Sequence, residues 1–194
     1  MSTFRPSAGT SARATTLLLA CAVCLRAAHA AQTVQVKIVT SSGDIVVALD
    51  ADHAPKTVAN FLRNVDAKFY DGGTFFRAIP GFVIQGGNRP HEKRSDPKLG
   101  LEPPSETGLL NTDGTIAMAR SGDPNSATSE FFVCDGNQPT LDSSTTQPGY
   151  AAFGKVVEGM DVVRTIARLP TKGDALVTPV KILRIVRVDP APAS

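Results

Sequence analysis

The sequence predicts a mainly β protein, with about eight short antiparallel strands closed into a barrel and two α-helices at its open ends. Three observations support this prediction. Apolar and polar residues alternate in several short runs, Gly, Pro, Asp and Ser separate those runs, and only two segments have helical spacing. Closing a barrel leaves no exposed sheet edge. An open α+β sheet fits the same pattern, so the pattern alone leaves both architectures open.

A leader precedes the predicted barrel. Arg5 and Arg13 come before an apolar run from Ala14 to Leu25, and the small-residue segment Ala28-His29-Ala30 follows. This order is typical of a secretory signal peptide, and the run is too short to span a bilayer. We therefore predict cleavage after Ala30 and a secreted or periplasmic protein. A lipid anchor on Cys21 and a basic leader retained in the cytosol remain alternatives.

Removing residues 1–30 changes what the composition implies. The whole chain has 20 basic and 18 acidic residues and a net charge of +2. The leader holds three arginines and no acidic residue, so the mature chain has a net charge of −1, which does not favour nucleic acid or an anionic membrane as a partner. Cys134 is then the only cysteine, and His53 and His91 lie far apart. We expect no internal disulfide, no metal and no cofactor.

The first part of the mature chain predicts a hairpin and a helix. Residues 32–40 alternate, residues 45–49 form a second, wholly apolar strand, and a glycine-containing turn separates the two. Pro55 begins a helix that continues to Val65, because Val58, Phe61 and Leu62 then share one apolar stripe. Residues 88–112 are rich in proline and charge without periodicity. We interpret them as a functional or poorly ordered loop.

The second part predicts four further strands and one helix. The strands are residues 115–118, 130–134, 150–157 and 180–188, and an irregular loop covers residues 137–149. A helix from Asp161 to Leu169 ends before Pro170. The predicted domain covers residues 31–189, and residues 190–194 form a loose Pro/Ala tail.

A central hairpin contains an unusual arginine. Pro80-Gly81 predicts a tight turn between two strands, residues 75–79 and 82–84. Strand periodicity places Phe75, Arg77 and Ile79 on one face. A charge among apolar residues requires a cleft, a partner or a ligand, unless Arg77 lies on an edge strand with its charged group in water.

The segment from Phe75 to Gly87, FFRAIPGFVIQGG, resembles the signature of the cyclophilin family of peptidyl-prolyl cis–trans isomerases. Further similar blocks follow in the same order along the mature chain: Gly114–Arg120, Ser126–Phe132, Leu141-Asp142 and Phe153–Val163. The resemblance implies an eight-stranded antiparallel barrel capped by two helices, with the active site on one outer face. The leader makes the chain most similar to the secreted, periplasmic bacterial members.

The resemblance also implies the site residues. Arg77 takes the catalytic position, and Gln85 helps to place it. The implied peptide-binding residues are Phe75, Phe82, Val83, Ala119, Arg120, Phe132, Leu141 and Tyr150.

Three positions depart from the family pattern. Phe76 replaces a histidine, Glu130 replaces a glutamine, and Thr140 stands where an aromatic residue is common. The last change predicts poor binding of cyclosporin. Glu130 either pairs with Arg77 and diverts its donors, or points outward and recruits basic substrates.

These residue types suit rotation about an X–Pro amide, whose barrier is about 18–20 kcal/mol. Rotation makes and breaks no bond, so it requires no nucleophile. A guanidinium that donates a hydrogen bond to the pyramidal proline nitrogen, together with an apolar socket that holds the ring, is sufficient to catalyse it. We predict a monomeric isomerase that acts on proline-containing peptides and unfolded exported polypeptides. A low-turnover prolyl-peptide binding or holdase module, and a secreted barrel without proline chemistry, are the alternatives.

Overall fold

A computed structural model describes Met1, residues 34–88 and residues 99–188 of the chain. The chain divides into two compact units, Met1–Ala30 and Ala31–Ser194, and the fold belongs to the second. The predicted leader after Met1, its cleavage site, the C-terminal tail and residues 89–98 of the long loop lie outside the described residues. None of the helices in the described ranges is long and apolar enough to cross a membrane.

The described strands form one antiparallel sheet that closes on itself. Its order is β1-β2-β7-β5-β6-β4-β3-β9, and β9 pairs back onto β1. The two-residue β8 pairs only with the start of β9. The strands are β1 (Val34–Thr40), β2 (Gly43–Leu49), β3 (Thr74–Ile79), β4 (Val83–Asn88), β5 (Thr115–Met118), β6 (Phe131–Cys134), β7 (Ala152–Glu158), β8 (Thr171–Lys172) and β9 (Ala175–Val188). The predicted closed eight-stranded barrel is confirmed, and the open sheet is wrong.

The described helices are α1 (Pro55–Asp66), α3 (Met160–Ala167) and a single turn, α2 (Pro104–Thr107), which the sequence pattern missed. The apolar stripe of α1 packs into the barrel core as predicted, and Phe61 is fully buried. The Phe61 ring lies 5.1–5.6 Å, between centroids, from the rings of Tyr70, Phe131 and Phe153. This aromatic cluster fills the centre of the core.

The N-terminus of α1 is closed by a residue from the long loop. Ala54 provides no side-chain cap. Instead the carboxylate of Glu102, which is 8% exposed, accepts hydrogen bonds from the backbone N–H groups of Lys56 and Thr57 and from the Thr57 hydroxyl. A carboxylate satisfies unpaired N–H groups there and is favoured by the helix dipole. This part of the loop therefore has a structural role.

A bulge in β3 changes which side chains face outward. Phe75 pairs with Gly86, but Arg77 pairs with the next residue back, Gln85, so Phe76 is the extra residue. Phe75 is consequently fully buried in the barrel, whereas the Arg77 side chain is 34% exposed. The prediction that Phe75 and Arg77 share a face is wrong, because the periodicity assumed a strand without a bulge.

Candidate active site

A cleft of about 310 Å³ opens on the outer surface of the barrel, where β3, β4 and β6 meet the loops that follow β5 and precede β7. Every predicted site residue except Phe75 lines it: Arg77, Phe82, Val83, Gln85, Ala119, Arg120, Phe132, Leu141 and Tyr150. Phe75 lies in the barrel core. The fold thus brings together residues from four separate parts of the sequence, and their individual roles remain predictions.

The floor of the cleft is apolar. Strand alternation turns Phe131 into the barrel and Phe132 outward, so that Phe132 packs with Val83, which is 1% exposed. The Phe132 ring also meets the Tyr150 ring edge to face, with centroids 5.6 Å apart. Phe82 and Leu141 are partly buried against this floor. The result is an apolar socket on the outer face of the barrel.

Cys134 lies under this socket and is fully buried. Burial raises the pKa of its thiol to about 12, with a smaller contribution from the negative charges of Asp142 and Asp113. The thiol is therefore protonated at neutral pH. Cys134 is therefore a packing residue and not a reactive thiol.

The Arg77 guanidinium stands at the edge of the socket and is held on two sides. Its Nε and Nη2 donate to Oδ2 of Asp174, at 3.3 and 2.9 Å, and its Nη1 donates to Oε1 of Gln85 at 3.3 Å. A guanidinium has five N–H groups, of which these contacts use three. Within the described part of the chain, one N–H on each terminal nitrogen is left for a ligand.

Gln85 is itself oriented by a carboxylate. Its Nε2 donates to Oε2 of Glu130 at 3.1 Å, so its amide oxygen is directed at Arg77. Glu130 thus reaches Arg77 through Gln85, an arrangement that neither alternative drawn from the sequence described. A row of hydrogen bonds thus links Asp174, Arg77, Gln85 and Glu130, and the middle two residues line the cleft.

Asp174 is the site residue that sequence reasoning missed. It lies 97 positions after Arg77, in the turn between β8 and β9, and its backbone oxygen accepts a hydrogen bond from the backbone N–H of Ala78 at 3.0 Å. In the sequence, Gly173-Asp174 indicates only a turn. Nothing in the local pattern connects it to β3.

The opposite wall of the cleft is formed by Arg120 and Tyr150. The Arg120 guanidinium carbon lies 4.5 Å from the centre of the Tyr150 ring, and Nε and Nη2 donate to the Gly149 carbonyl at 3.2 and 3.1 Å. Gly149 has φ +79°, and a Cβ there would lie 2.7 Å from the backbone of Asp142 and Ser143. Glycine is therefore required where the wall is anchored.

A larger cavity, of about 590 Å³, lies on another part of the barrel and includes Leu49, Asp50, His53 and Lys155 in its lining. Asp50 and His53 pair with each other, at 2.8 Å, and the Lys155 ammonium donates to the hydroxyl of Thr112. None of the described residues that line this cavity is an arginine, a phenylalanine or a tyrosine. We therefore assign the candidate active site to the smaller cleft.

Comparison with known proteins identifies the class of protein that this fold and cleft define. The family model described as cyclophilin type peptidyl-prolyl cis-trans isomerase/CLD matches residues 35–187. The chain belongs to this family. The predicted resemblance is thereby confirmed at the level of the family, and so is the enzyme class, peptidyl-prolyl cis–trans isomerase.

Individual relatives agree with this assignment. A peptidyl-prolyl cis-trans isomerase of Acinetobacter baylyi is 43% identical over 148 residues, covering 76% of this chain and 79% of that protein. Peptidyl-prolyl cis-trans isomerase A of Dickeya dadantii is 41% identical, covering 74% and 76%. Peptidyl-prolyl cis-trans isomerase B of Escherichia coli is 43% identical, covering 68% and 83%.

Solved structures show the same fold. The crystal structure of a cyclophilin type peptidyl-prolyl cis-trans isomerase from Cryptosporidium parvum superposes with a TM-score of 0.66 at 25% identity, covering 82% of this chain and 99% of that one. A second crystal structure of that protein, in the presence of the dipeptide Ala-Pro, gives a TM-score of 0.62 at 26% identity, covering 78% and 97%.

Proposed function

We propose that this isomerase assists the folding of exported polypeptides, and that Arg77 supplies the decisive interaction by stabilising the twisted X–Pro amide above the apolar socket. The observation that carries the proposal is the position of the Arg77 guanidinium, which lines the same cleft as Phe82 and Phe132 and retains N–H groups for a ligand.

The chemistry follows from what changes during rotation. Twisting the X–Pro amide breaks its resonance, the proline nitrogen becomes pyramidal, and a lone pair develops on it. A guanidinium N–H beside that nitrogen donates a hydrogen bond that the planar amide accepts poorly, so it stabilises the twisted state more than either planar isomer.

The socket has a complementary task. Val83, Phe132 and Leu141 hold the proline ring still while the preceding residue rotates. Excluding water from this floor also strengthens the field of the guanidinium.

The substrate class is a proline-containing segment of an extended or unfolded chain. An open surface cleft admits a polypeptide that continues in both directions, and the related Cryptosporidium parvum protein has been studied with Ala-Pro.

Export rests on the order of residues in the leader, and we propose a periplasmic or secreted monomer. N-terminal sequencing of the exported protein should give Ala31 as the first residue. A sequence that begins upstream would contradict cleavage after Ala30.

The test of the function is isomerisation of a short proline-containing peptide by the purified protein and by its Arg77→Ala variant. We expect kcat/KM to fall about a hundredfold, as when one preorganised donor is removed from other active sites. Arg187→Ala is the matched control, because Arg187 is also a partly exposed arginine paired with a carboxylate, Asp66, and does not line the cleft. An unchanged kcat/KM in Arg77→Ala would remove Arg77 from its role.

An NMR experiment with the same peptide distinguishes an isomerase from a low-turnover binding module. If NMR shows that the wild-type protein binds the peptide without accelerating exchange between its cis and trans signals, the holdase alternative replaces catalysis. Absence of any binding would favour a barrel without proline chemistry.

A further inference from the structure

We propose that Asp174 is a positioning residue for catalysis: it holds the Arg77 guanidinium in the orientation that directs its remaining N–H groups into the cleft. The proposal rests on the proposed catalytic role of Arg77. It concerns a residue on a different hairpin from the one that carries Arg77 and Gln85.

The first argument is the geometry of the pair. Both Nε and Nη2 of Arg77 donate to the same carboxylate oxygen, Oδ2 of Asp174, while Nη1 donates to Gln85 on the other side. Three hydrogen bonds to two residues fix the plane of a guanidinium, whereas a single hydrogen bond leaves that plane free to rotate. Because the bonds to Asp174 are charge-assisted, they are stronger than the bond to the neutral Gln85 amide.

The second argument is that the carboxylate is delivered by a tied backbone. The Asp174 carbonyl accepts a hydrogen bond from the Ala78 N–H, one residue after Arg77, at 3.0 Å. On the other side of Asp174, Ala175 pairs with both Lys172 and Arg77. The main chain of Asp174 is therefore fixed to β3, the strand that carries Arg77.

The third argument is that Arg77 needs such a partner. Its side chain is long, is 34% exposed and stands at the rim of the cleft, where water allows many rotamers. A displacement of about 1 Å in a reacting geometry can cost a hundredfold in rate. An arginine without Asp174 keeps its charge but loses the orientation that aims it at the proline nitrogen.

A surface ion pair elsewhere on the barrel provides the control. The Asp66 side chain is 54% exposed and binds Arg187 through two hydrogen bonds, and the Asp174 side chain is 55% exposed. The two carboxylates are thus equally exposed and equally paired, but only Asp174 binds a residue of the cleft. Asp66→Ala should leave isomerisation unchanged.

The experiment measures kcat and KM for Asp174→Ala and Asp174→Asn, in the wild-type protein and in the Arg77→Ala variant. We expect Asp174→Ala to lower kcat about tenfold with KM changed less than about threefold, because orientation rather than peptide binding is lost. Asp174→Asn keeps an oxygen acceptor and should recover most of the rate. In the Arg77→Ala background, Asp174→Ala should have almost no further effect, because it acts through Arg77.

A spectroscopic readout accompanies the kinetics. The Arg77 Nε–H resonance, assigned from its loss in Arg77→Ala, should shift and exchange faster with water in Asp174→Ala but not in Asp66→Ala. Wild-type kcat in Asp174→Ala, or an Asp174→Ala effect of the same size with and without Arg77, would overturn the proposal. Wild-type activity in Arg77→Ala would instead overturn the proposed function itself, so the two failures are distinguishable.

Discussion

Replacing Phe131 by leucine should destabilise the protein more than the same replacement of Phe132, whereas only the second should impair isomerisation. The two residues are neighbours on β6 but face opposite sides of the sheet. Phe131 is fully buried, and its ring lies 5.6, 5.6 and 5.8 Å from those of Phe61, Tyr70 and Phe75. Among the described residues, the Phe132 ring has one such ring contact, with Tyr150.

The magnitudes follow from these contacts. An aromatic pair contributes about 0.5–1.5 kcal/mol beyond the area that it buries, so losing three pairs at position 131 should lower the free energy of unfolding by about 3 kcal/mol, and losing one at position 132 by about 1 kcal/mol. A domain of this size tolerates both changes, since its total free energy of unfolding is about 5–15 kcal/mol. Leucine keeps most of the apolar volume, which limits the cavity left behind.

Urea unfolding gives the first quantity, and peptide isomerisation in the absence of urea gives the second. We expect kcat/KM to fall about tenfold in Phe132→Leu, because the proposed proline socket loses its aromatic wall, and to stay within about twofold in Phe131→Leu. Equal losses of stability would refute the assignment of the two faces. A loss of activity in folded Phe131→Leu as large as that in Phe132→Leu would refute the placement of the socket.

Two further predictions concern stability. Burial raises the pKa of the Cys134 thiol to about 12. The folded protein therefore keeps the thiol proton at pH values where the unfolded chain has lost it. The stability that this group contributes is present below about pH 9 and is lost as the pH rises towards 12. Cys134→Ala should remove about 2 kcal/mol of the decline in unfolding free energy between about pH 8 and pH 10.5, and parallel profiles for the two proteins would contradict this. Glu102→Ala should lower the free energy of unfolding, measured by urea unfolding, by about 1–2 kcal/mol, because the N–H groups of Lys56 and Thr57 lose their acceptor at the start of α1. A change too small to measure would show that water replaces the cap.

Two segments could be predicted from the sequence almost to the residue. The helix predicted from Pro55 to Val65 runs from Pro55 to Asp66, and the strand predicted over residues 115–118 has those bounds. The helix has a clear local signal because its apolar residues recur with a helical period after Pro55, whereas the strand is a short apolar run that follows the turn residues Asp113-Gly114. The socket could be predicted for a related reason, since its residues follow one another in the order of a known family.

What could not be predicted depends on contacts between distant segments. The last strand was predicted to begin at Val180 but begins at Ala175, because pairing of Ala175 with Arg77 overrides the effect of Pro179, which disfavours a strand locally. The same pairing brings Asp174 to Arg77. The bulge at Phe76 likewise arises from the register between β3 and β4 and has no local signal. Sequence reasoning therefore identified the arginine and not its carboxylate partner.

The most direct measurement of the role of Arg77 is the rate of cis–trans exchange of a proline peptide while it is bound, obtained by NMR at saturating protein for the wild type, Arg77→Ala and the control Arg187→Ala. We expect the bound exchange rate to fall about a hundredfold in Arg77→Ala alone, while Kd changes only a few-fold, because in the proposed mechanism the guanidinium stabilises the twisted amide and the socket binds the ring. A bound exchange rate in Arg77→Ala equal to that of the wild type would contradict the central claim.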